Sequence, residues 1–103
     1  MDFYGDGKPT WALVLLEGKG SSAKAHLVLA RRLAQAWEFT SLDETDAAVA
    51  PVVWSEGPGE YRDVYEHTTV RAASEVIVFA GYESWAILYA WTGGEIVKVW
   101  IAD

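Results

Sequence analysis

Hydrophobic residues follow two different spacings along the chain, and each spacing predicts a different element. Residues 11–16 (Trp-Ala-Leu-Val-Leu-Leu) are wholly apolar and lie before two glycines, which predicts a short buried strand. Ser21 and Ser22 can cap a helix that runs through Glu38, because apolar residues in this segment recur three or four positions apart. The predicted core-facing stripe consists of Ala23, Leu27, Ala30, Leu33, Ala34 and Trp37.

The second half of the chain favours strands joined by tight turns. Segments 62–70, 75–80, 85–91 and 95–101 are rich in β-branched and aromatic residues, and Thr92-Gly93-Gly94 suits a hairpin connection. We also expect a short helical turn that Ser41 or Asp43 caps and that runs through Ala50, a brief strand over 51–54 and a turn over 81–83. The pattern predicts an α+β fold in which one main amphipathic helix packs on an antiparallel meander sheet of four to five strands. Strand 11–16 is expected to be central or to join an edge.

Both faces of the predicted strand 85–91 are apolar. Its odd-numbered positions are Trp, Ile, Tyr and Trp, and its even-numbered positions are Ala, Leu and Ala. A sheet covered by a helix on one side only normally alternates apolar and polar residues. We therefore expect either cover on both faces, or an aromatic face that meets a partner or a second copy of the chain.

Length and composition predict one globular domain spanning 1–103. Hydrophobic residues make up 51% of the 103 residues, and there is no cysteine, which favours a reducing compartment and excludes disulfides and thiolate metal sites. The first residues include no basic stretch followed by an apolar run, and residues 11–16 fall far short of the about 20 that span a bilayer. We expect a cytoplasmic protein.

Negative charge is concentrated in the middle of the chain. The net charge is −7, and residues 38–66 hold eight acidic residues against one arginine, which is a local sum of −7 as well. Such a chain should be repelled by nucleic acid and by anionic membranes. Aromatic residues lie among these acids, and acids with aromatics are typical of a surface that binds a basic protein. The predicted partner-binding residues are Asp43, Glu44, Asp46, Trp54, Glu56, Glu60, Tyr61, Asp63 and Tyr65.

No catalytic group, metal site or cofactor is predicted. Residues 18–24 have the length of a phosphate loop, but its second glycine is replaced by Ala23 and its magnesium-binding hydroxyl by Ala25. Asp43 and Asp46 lie in a run of oxygen donors without the spacing or pivot glycine of a calcium loop, and an acidic first turn of a helix explains them. The two histidines have no convincing acid–base partner.

Residues 85–101 resemble the last hairpin of the phage inhibitor of uracil-DNA glycosylase, although that family's glutamate-bearing inhibitory strand is not found and no residue roles carry over. In general character the chain also resembles bacterial immunity proteins. The acidic segment, with its aromatic residues, predicts a small acidic, non-enzymatic inhibitor of the immunity, antitoxin or phage type, and the resemblances agree with it in general character only. Such a protein would block a basic site on a nuclease, a toxin or a nucleic-acid-handling protein, with its carboxylates in place of the phosphates of a nucleic acid. The alternatives are a structural or homodimer-forming subunit that uses an aromatic sheet face, and a degenerate phosphate-loop nucleotide binder.

Overall fold

A computed structural model describes residues 1–47, 51–81 and 85–102, and their regular structure is almost entirely β-strand. The described part contains nine strands and one three-residue 3-10 turn, Gly20–Ser22. The strands are β1 (Thr10–Glu17), β2 (Lys24–Leu33), β3 (Ala36–Asp46), β4 (Val52–Glu56), β5 (Gly59–Arg62), β6 (Thr69–Ala72), β7 (Val76–Gly81), β8 (Trp85–Trp91) and β9 (Ile96–Ala102). The prediction of an α+β fold with a main helix is therefore wrong.

Residues 21–38, predicted as the main helix, form β2 and the start of β3. β2 pairs along its length with both neighbours, so that Leu29 lies opposite Ala12 on one side and Thr40 on the other. Its odd-numbered residues from Ala25 to Leu29 are buried, and the two even-numbered residues between them are partly exposed. The burial of this segment therefore alternates with a period of two, although its apolar residues also recur three or four positions apart. Pairing on both edges outweighs helix propensity, as tertiary context commonly does.

The β2–β3 connection is a two-residue turn. Leu33 pairs with Ala36, and only Ala34 and Gln35 lie between them. Ala34 has a φ of 53°, in the left-handed region that glycine or asparagine normally occupies in such turns. Because neither of those residues is present, the sequence shows no local turn signal, and the helical spacing continued through the turn uninterrupted.

The strands form three antiparallel sheets, and the central one is covered on both faces. We call β1-β2-β3 the N-terminal sheet, β4-β7-β8-β9 the central sheet and β5-β6 the small hairpin. The core between the N-terminal and central sheets contains Phe3, Leu27, Leu29, Ile77, Phe79, Ile87 and Tyr89. The core between the central sheet and the small hairpin contains Ala72, Val76, Val78, Leu88, Ala90 and Val99. Cover on both faces, the first alternative for strand 85–91, is therefore confirmed.

The local predictions have mixed outcomes. Strand 11–16 is confirmed as β1, at an edge of the separate N-terminal sheet, but its predicted burial is wrong, because its odd-numbered residues and Leu16 are exposed. Residues 41–46 end β3 instead of beginning a helical turn, and residues 48–50 lie outside the described part, as do residues 82 and 83 of the predicted turn at 81–83. Segment 62–70 is mainly the turn between β5 and β6, not a strand. The β7-β8-β9 meander and the connection at residues 92–94 are confirmed.

Residues 18–24, the phosphate-loop candidate, connect β1 to β2 through the 3-10 turn. A phosphate loop binds its anion with backbone amides at the start of a helix. The described chain continues from this turn into a strand, so the segment lacks the helix on which that chemistry depends.

Candidate functional site

The N-terminal sheet has one face in the core and one exposed apolar face. Side chains alternate across a strand, so β1 directs Ala12 and Val14 into the core and its odd-numbered residues outward. Trp11 lies opposite Ala30, which in turn lies opposite Phe39, so the outward set crosses all three strands. We call this outer surface the apolar face, and its members are Trp11, Leu13, Leu15, Val28, Ala30, Trp37 and Phe39.

Three aromatic rings dominate one end of the apolar face. The ring centroids of Trp11 and Trp37 lie 5.2 Å apart, and those of Trp37 and Phe39 lie 6.3 Å apart with a 20° interplanar angle. Ala30 is the buried floor between the rings, and Leu13 completes a shallow groove of about 290 Å³. The exposed fraction is 44% for Trp11, 47% for Trp37 and 63% for Phe39. Isolated exposed hydrophobics are ordinary, but a contiguous patch is typical of a contact surface.

The two ends of the apolar face carry opposite charge. Arg32 lies at the aromatic end, with its guanidinium 6.0 Å from the centroid of the Trp37 ring. The far end carries Lys24, His26 and the three carboxylates of Glu17, Glu44 and Asp46. Lys24 Nζ lies 3.4 Å from Glu44 Oε1 and 3.9 Å from Asp46 Oδ1. With a neutral histidine the strand residues of the far end sum to −2, three acids against one lysine, and Lys19 in the adjoining β1–β2 connection reduces the sum to −1.

Sequence reasoning missed the apolar face because it assigned residues 21–38 to a helix. A wholly apolar run such as residues 11–16 shows no alternation, so its outward members cannot be separated from its inward ones. One signal was present: Trp37 and Phe39 flank Glu38, which is the period-two pattern of a strand with an aromatic face.

Asp43, the first predicted binding residue, lies between the sheets and links them. A register shift in the β2–β3 pairing leaves it opposite the buried Leu27. Its carboxylate accepts hydrogen bonds from the Tyr89 hydroxyl and from the backbone N–H of Glu44, and it lies 3.2 Å from Lys98 Nζ. Burial acts to raise the pKa of Asp43, but the hydrogen bonds from Tyr89, Glu44 and Lys98 outweigh it and hold that pKa below 3.8. Burial, and then Asp43, raises the pKa of Tyr89.

Other predicted carboxylates also have partners within the protein. Glu44 and Asp46 contact Lys24, as given above. Glu60 Oε1 lies 2.9 Å from an Arg71 guanidinium nitrogen, and Glu56 accepts a hydrogen bond from the Trp54 indole N–H at 2.9 Å. The ion pairs with Lys24 and Arg71 offset part of the negative charge that the sequence indicates, whereas the hydrogen bond from Trp54 leaves the charge of Glu56 unchanged.

Asp63 is buried, and it fixes the turn 63–68 against β9. Its Oδ1 accepts hydrogen bonds from the backbone N–H groups of Tyr65 at 2.8 Å and Glu66 at 2.9 Å, and its Oδ2 accepts one from the N–H of Trp100 at 3.1 Å. The hydrogen bonds from Glu66 and Trp100 are the largest causes that lower the pKa of Asp63. This carboxylate therefore acts as an anchor within the protein.

The predicted aromatic anchors lie in different places. Trp54 is exposed on β4, and the Tyr65 ring meets the Trp100 ring edge-on at 5.5 Å. Tyr61 packs against the core beneath the small hairpin, and its hydroxyl donates a hydrogen bond to the Gly57 carbonyl at 2.5 Å. The three rings do not form one platform.

The nine predicted residues converge only in part. Asp43 and Glu44 line a cavity of about 330 Å³, and Asp63 and Tyr65 line a second of about 380 Å³. Both cavities include Lys98 and Trp100, so these four residues lie in two cavities that share the middle of β9. The other five line neither cavity, and they are Asp46, Trp54, Glu56, Glu60 and Tyr61.

Among the described residues, no three His, Cys, Asp or Glu side chains are grouped so as to hold a metal ion. The same residues include no helix with the length and hydropathy to cross a membrane. Comparison of the chain with protein-family models, curated proteins and solved structures returns no match.

Proposed function

We propose that this chain is a non-enzymatic interaction protein that docks on another protein chain through its apolar face. The observation that carries the proposal is the contiguous exposure of Trp11, Trp37 and Phe39 on one rigid sheet. Aromatic residues are enriched at protein interfaces and supply much of their binding energy.

The area of the patch supports contact with a protein. Taking 150–250 Å² per aromatic side chain, the exposed fractions of the three rings leave roughly 300 Å² open to solvent. At about 25 cal/mol per Å² their burial contributes up to roughly 7 kcal/mol, against an association cost of about 4–15 kcal/mol. The rings alone therefore support at most weak binding, and Leu13 and Leu15 with the charged ends must supply the rest of the affinity.

The backbone of the apolar face is already ordered before a partner binds. β2 pairs with a strand on each side, and the inner side of the same sheet packs in the core. Little backbone conformational freedom therefore remains to be lost on binding, and this small entropic cost favours affinity. This function corresponds to the structural or oligomer-forming alternative expected from the sequence. The proposed contact surface differs, because strand 85–91 is covered on both faces and the exposed aromatic face belongs to the N-terminal sheet.

A second candidate function is the acidic inhibitor, in which the protein occludes a basic site on a nuclease, a toxin or a nucleic-acid-handling protein. The observation that favours it is the concentration of acids in residues 38–66 within a chain of net charge −7. Glu56 and Glu66 are its best test positions, since both are exposed and neither forms an ion pair with a described residue. Reversal of both to lysine should weaken capture by a basic partner and reduce its salt dependence.

A cytoplasmic location remains a prediction that rests on the cysteine-free composition. Fractionation of the native host with an antibody to the chain tests it. Recovery in the cytoplasmic fraction is the expected result, and recovery outside the cell would contradict it.

Site-specific photo-crosslinking tests the docking proposal. A photoreactive phenylalanine at position 39 places the probe on the apolar face, and the same residue at position 65 is the control, because Tyr65 is 52% exposed and its ring packs on Trp100 of β9, in the central sheet. In cells we expect a discrete crosslinked protein from position 39 and none from position 65. No product from position 39 would refute the proposal, and a product from position 65 alone would favour the acidic surface instead.

A further inference from the structure

We infer that the occupant of the apolar face is a second copy of this chain, stacked sheet on sheet with its strands antiparallel to those of the first. This inference rests on the docking function proposed above, and it names the partner. In a two-fold arrangement of this kind, each contact between two different residues occurs twice.

The shape of the apolar face is complementary to itself in this orientation. The aromatic end is concave, since buried Ala30 forms a floor between Trp11 and Phe39. Further along β1 the outward residues are Leu13 and Leu15, which are 38% and 51% exposed. Antiparallel stacking places the leucines of one copy over the aromatic groove of the other, so that aliphatic side chains fill the space between the rings.

Charge selects the same orientation. Arg32, at the aromatic end, makes no ion pair within the described residues. The far end remains net negative, at −1 with Lys19 included, and Glu17 is its most exposed position on β1, with a 74% exposed side chain. Antiparallel stacking brings Arg32 of each copy toward the acidic end of the other, whereas parallel stacking brings acid against acid and arginine against arginine. Complementary charge of this kind fixes orientation and suppresses the wrong pairing.

The dimensions allow such a contact, and they predict a weak one. The Cα atoms span 40 × 39 × 18 Å, so the molecule is flat and its broad side is much wider than the aromatic groove. A stable interface buries about 800 Å² per partner, and the three rings supply roughly 300 Å² of it. The rest must come from the leucines and the charged ends, which predicts a dimer that dissociates reversibly on dilution.

Sedimentation equilibrium of the full chain over a wide range of concentrations tests the inference. We expect a reversible change from the 11.4 kDa of one chain to twice that mass. Phe39→Glu should abolish the dimer, and Tyr65→Glu, a matched change beside β9, should leave it intact. Circular dichroism and thermal unfolding establish that each variant is folded. A monomer at every concentration, or loss of the dimer in Tyr65→Glu alone, would overturn the inference.

A charge exchange tests the antiparallel orientation. Arg32→Glu and Glu17→Lys should each weaken the dimer by roughly tenfold, because each change occurs twice across the two-fold axis. The double variant should recover most of the wild-type affinity, and a double variant weaker than either single one would exclude antiparallel stacking. If the wild-type chain is monomeric yet crosslinks from position 39 to a different protein, the second copy is refuted while the docking function stands. If position 39 yields no crosslink at all, the docking function itself fails.

Discussion

The hydrogen bond from Tyr89 to Asp43 gives the sharpest test of how the N-terminal and central sheets are joined. Tyr89 is 3% exposed on β8, and Asp43 on β3 also contacts Lys98 of β9. Tyr89→Phe removes one hydroxyl group and preserves the packing of the ring. Asp43 keeps its contacts with Lys98 and with the backbone N–H of Glu44, so the carboxylate is not left without partners.

The expected loss follows from the kind of hydrogen bond removed. A hydrogen bond to a charged group contributes about 1.5–3 kcal/mol. For a domain of about 100 residues each kcal/mol lowers the melting temperature by about 4–8 °C, so Tyr89→Phe should lower it by about 6–24 °C. Tyr61→Phe is the matched control, because the Tyr61 hydroxyl bonds to the neutral Gly57 carbonyl in an exposed loop. That change should lower the free energy of unfolding by about 0.5–1.5 kcal/mol.

The pH dependence of the loss distinguishes the ionised pair from simple packing. The pKa of Asp43 is lowered in the folded state, so its contribution is present above 3.8 and is lost as the pH falls further, through the folded-state pKa. The pKa of Tyr89 is raised above 10.0, so its contribution is lost as the pH rises beyond that value. The difference between wild type and Tyr89→Phe should therefore be constant near neutral pH and should shrink at both extremes.

Urea unfolding followed by tryptophan fluorescence over a pH series measures this difference. The reasoning is refuted if Tyr61→Phe destabilises as much as Tyr89→Phe near neutral pH. It is equally refuted if the difference between wild type and Tyr89→Phe stays unchanged below pH 3.8.

Three further substitutions test local features of the fold by the same unfolding assay. Ala34→Gly should raise the free energy of unfolding by roughly 0.5–1 kcal/mol, because it relieves a φ of 53°, whereas Ala36→Gly inside β3 should lower it. Gly81→Ala should lower the free energy of unfolding by about 1–3 kcal/mol, because the added Cβ would lie 2.3 Å from Trp85 Nε1. Gly94→Ala should not lower it, because the space around Gly94 is open. Glu60→Gln should change it by less than about 1 kcal/mol, because the pair with Arg71 is solvent-exposed; a larger loss would show that this pair supports the small hairpin.

The C-terminal meander was predictable because its signals are local. Each of β7, β8 and β9 is a short run of β-branched and aromatic residues, and Gly93 and Gly94 mark the last connection. The N-terminal sheet was not predictable in this way. Residues 24–35 are rich in Ala, Leu, Arg and Gln, which favour helices, and their turn places Ala34 where glycine is expected.

The state of the acidic residues was even less accessible from sequence. A local sum of charges carries no information about partners, and the partners here lie far along the chain. Asp43 contacts Lys98, and Asp63 accepts a hydrogen bond from the N–H of Trp100, 37 residues away. A buried carboxylate bonded to backbone amides has no composition signature, because its donors can belong to any residue type.

Fluorine NMR of the chain labelled with 5-fluorotryptophan tests most directly whether the apolar face becomes covered on association. Single Trp→Phe variants assign the resonances. As the protein concentration rises, we predict that the signals of Trp11 and Trp37 shift and become less broadened by a soluble paramagnetic probe, while the signal of Trp100 on β9 does not change. If Trp11 and Trp37 remain fully accessible to the probe at every concentration, the apolar face is not a surface on which a second copy docks.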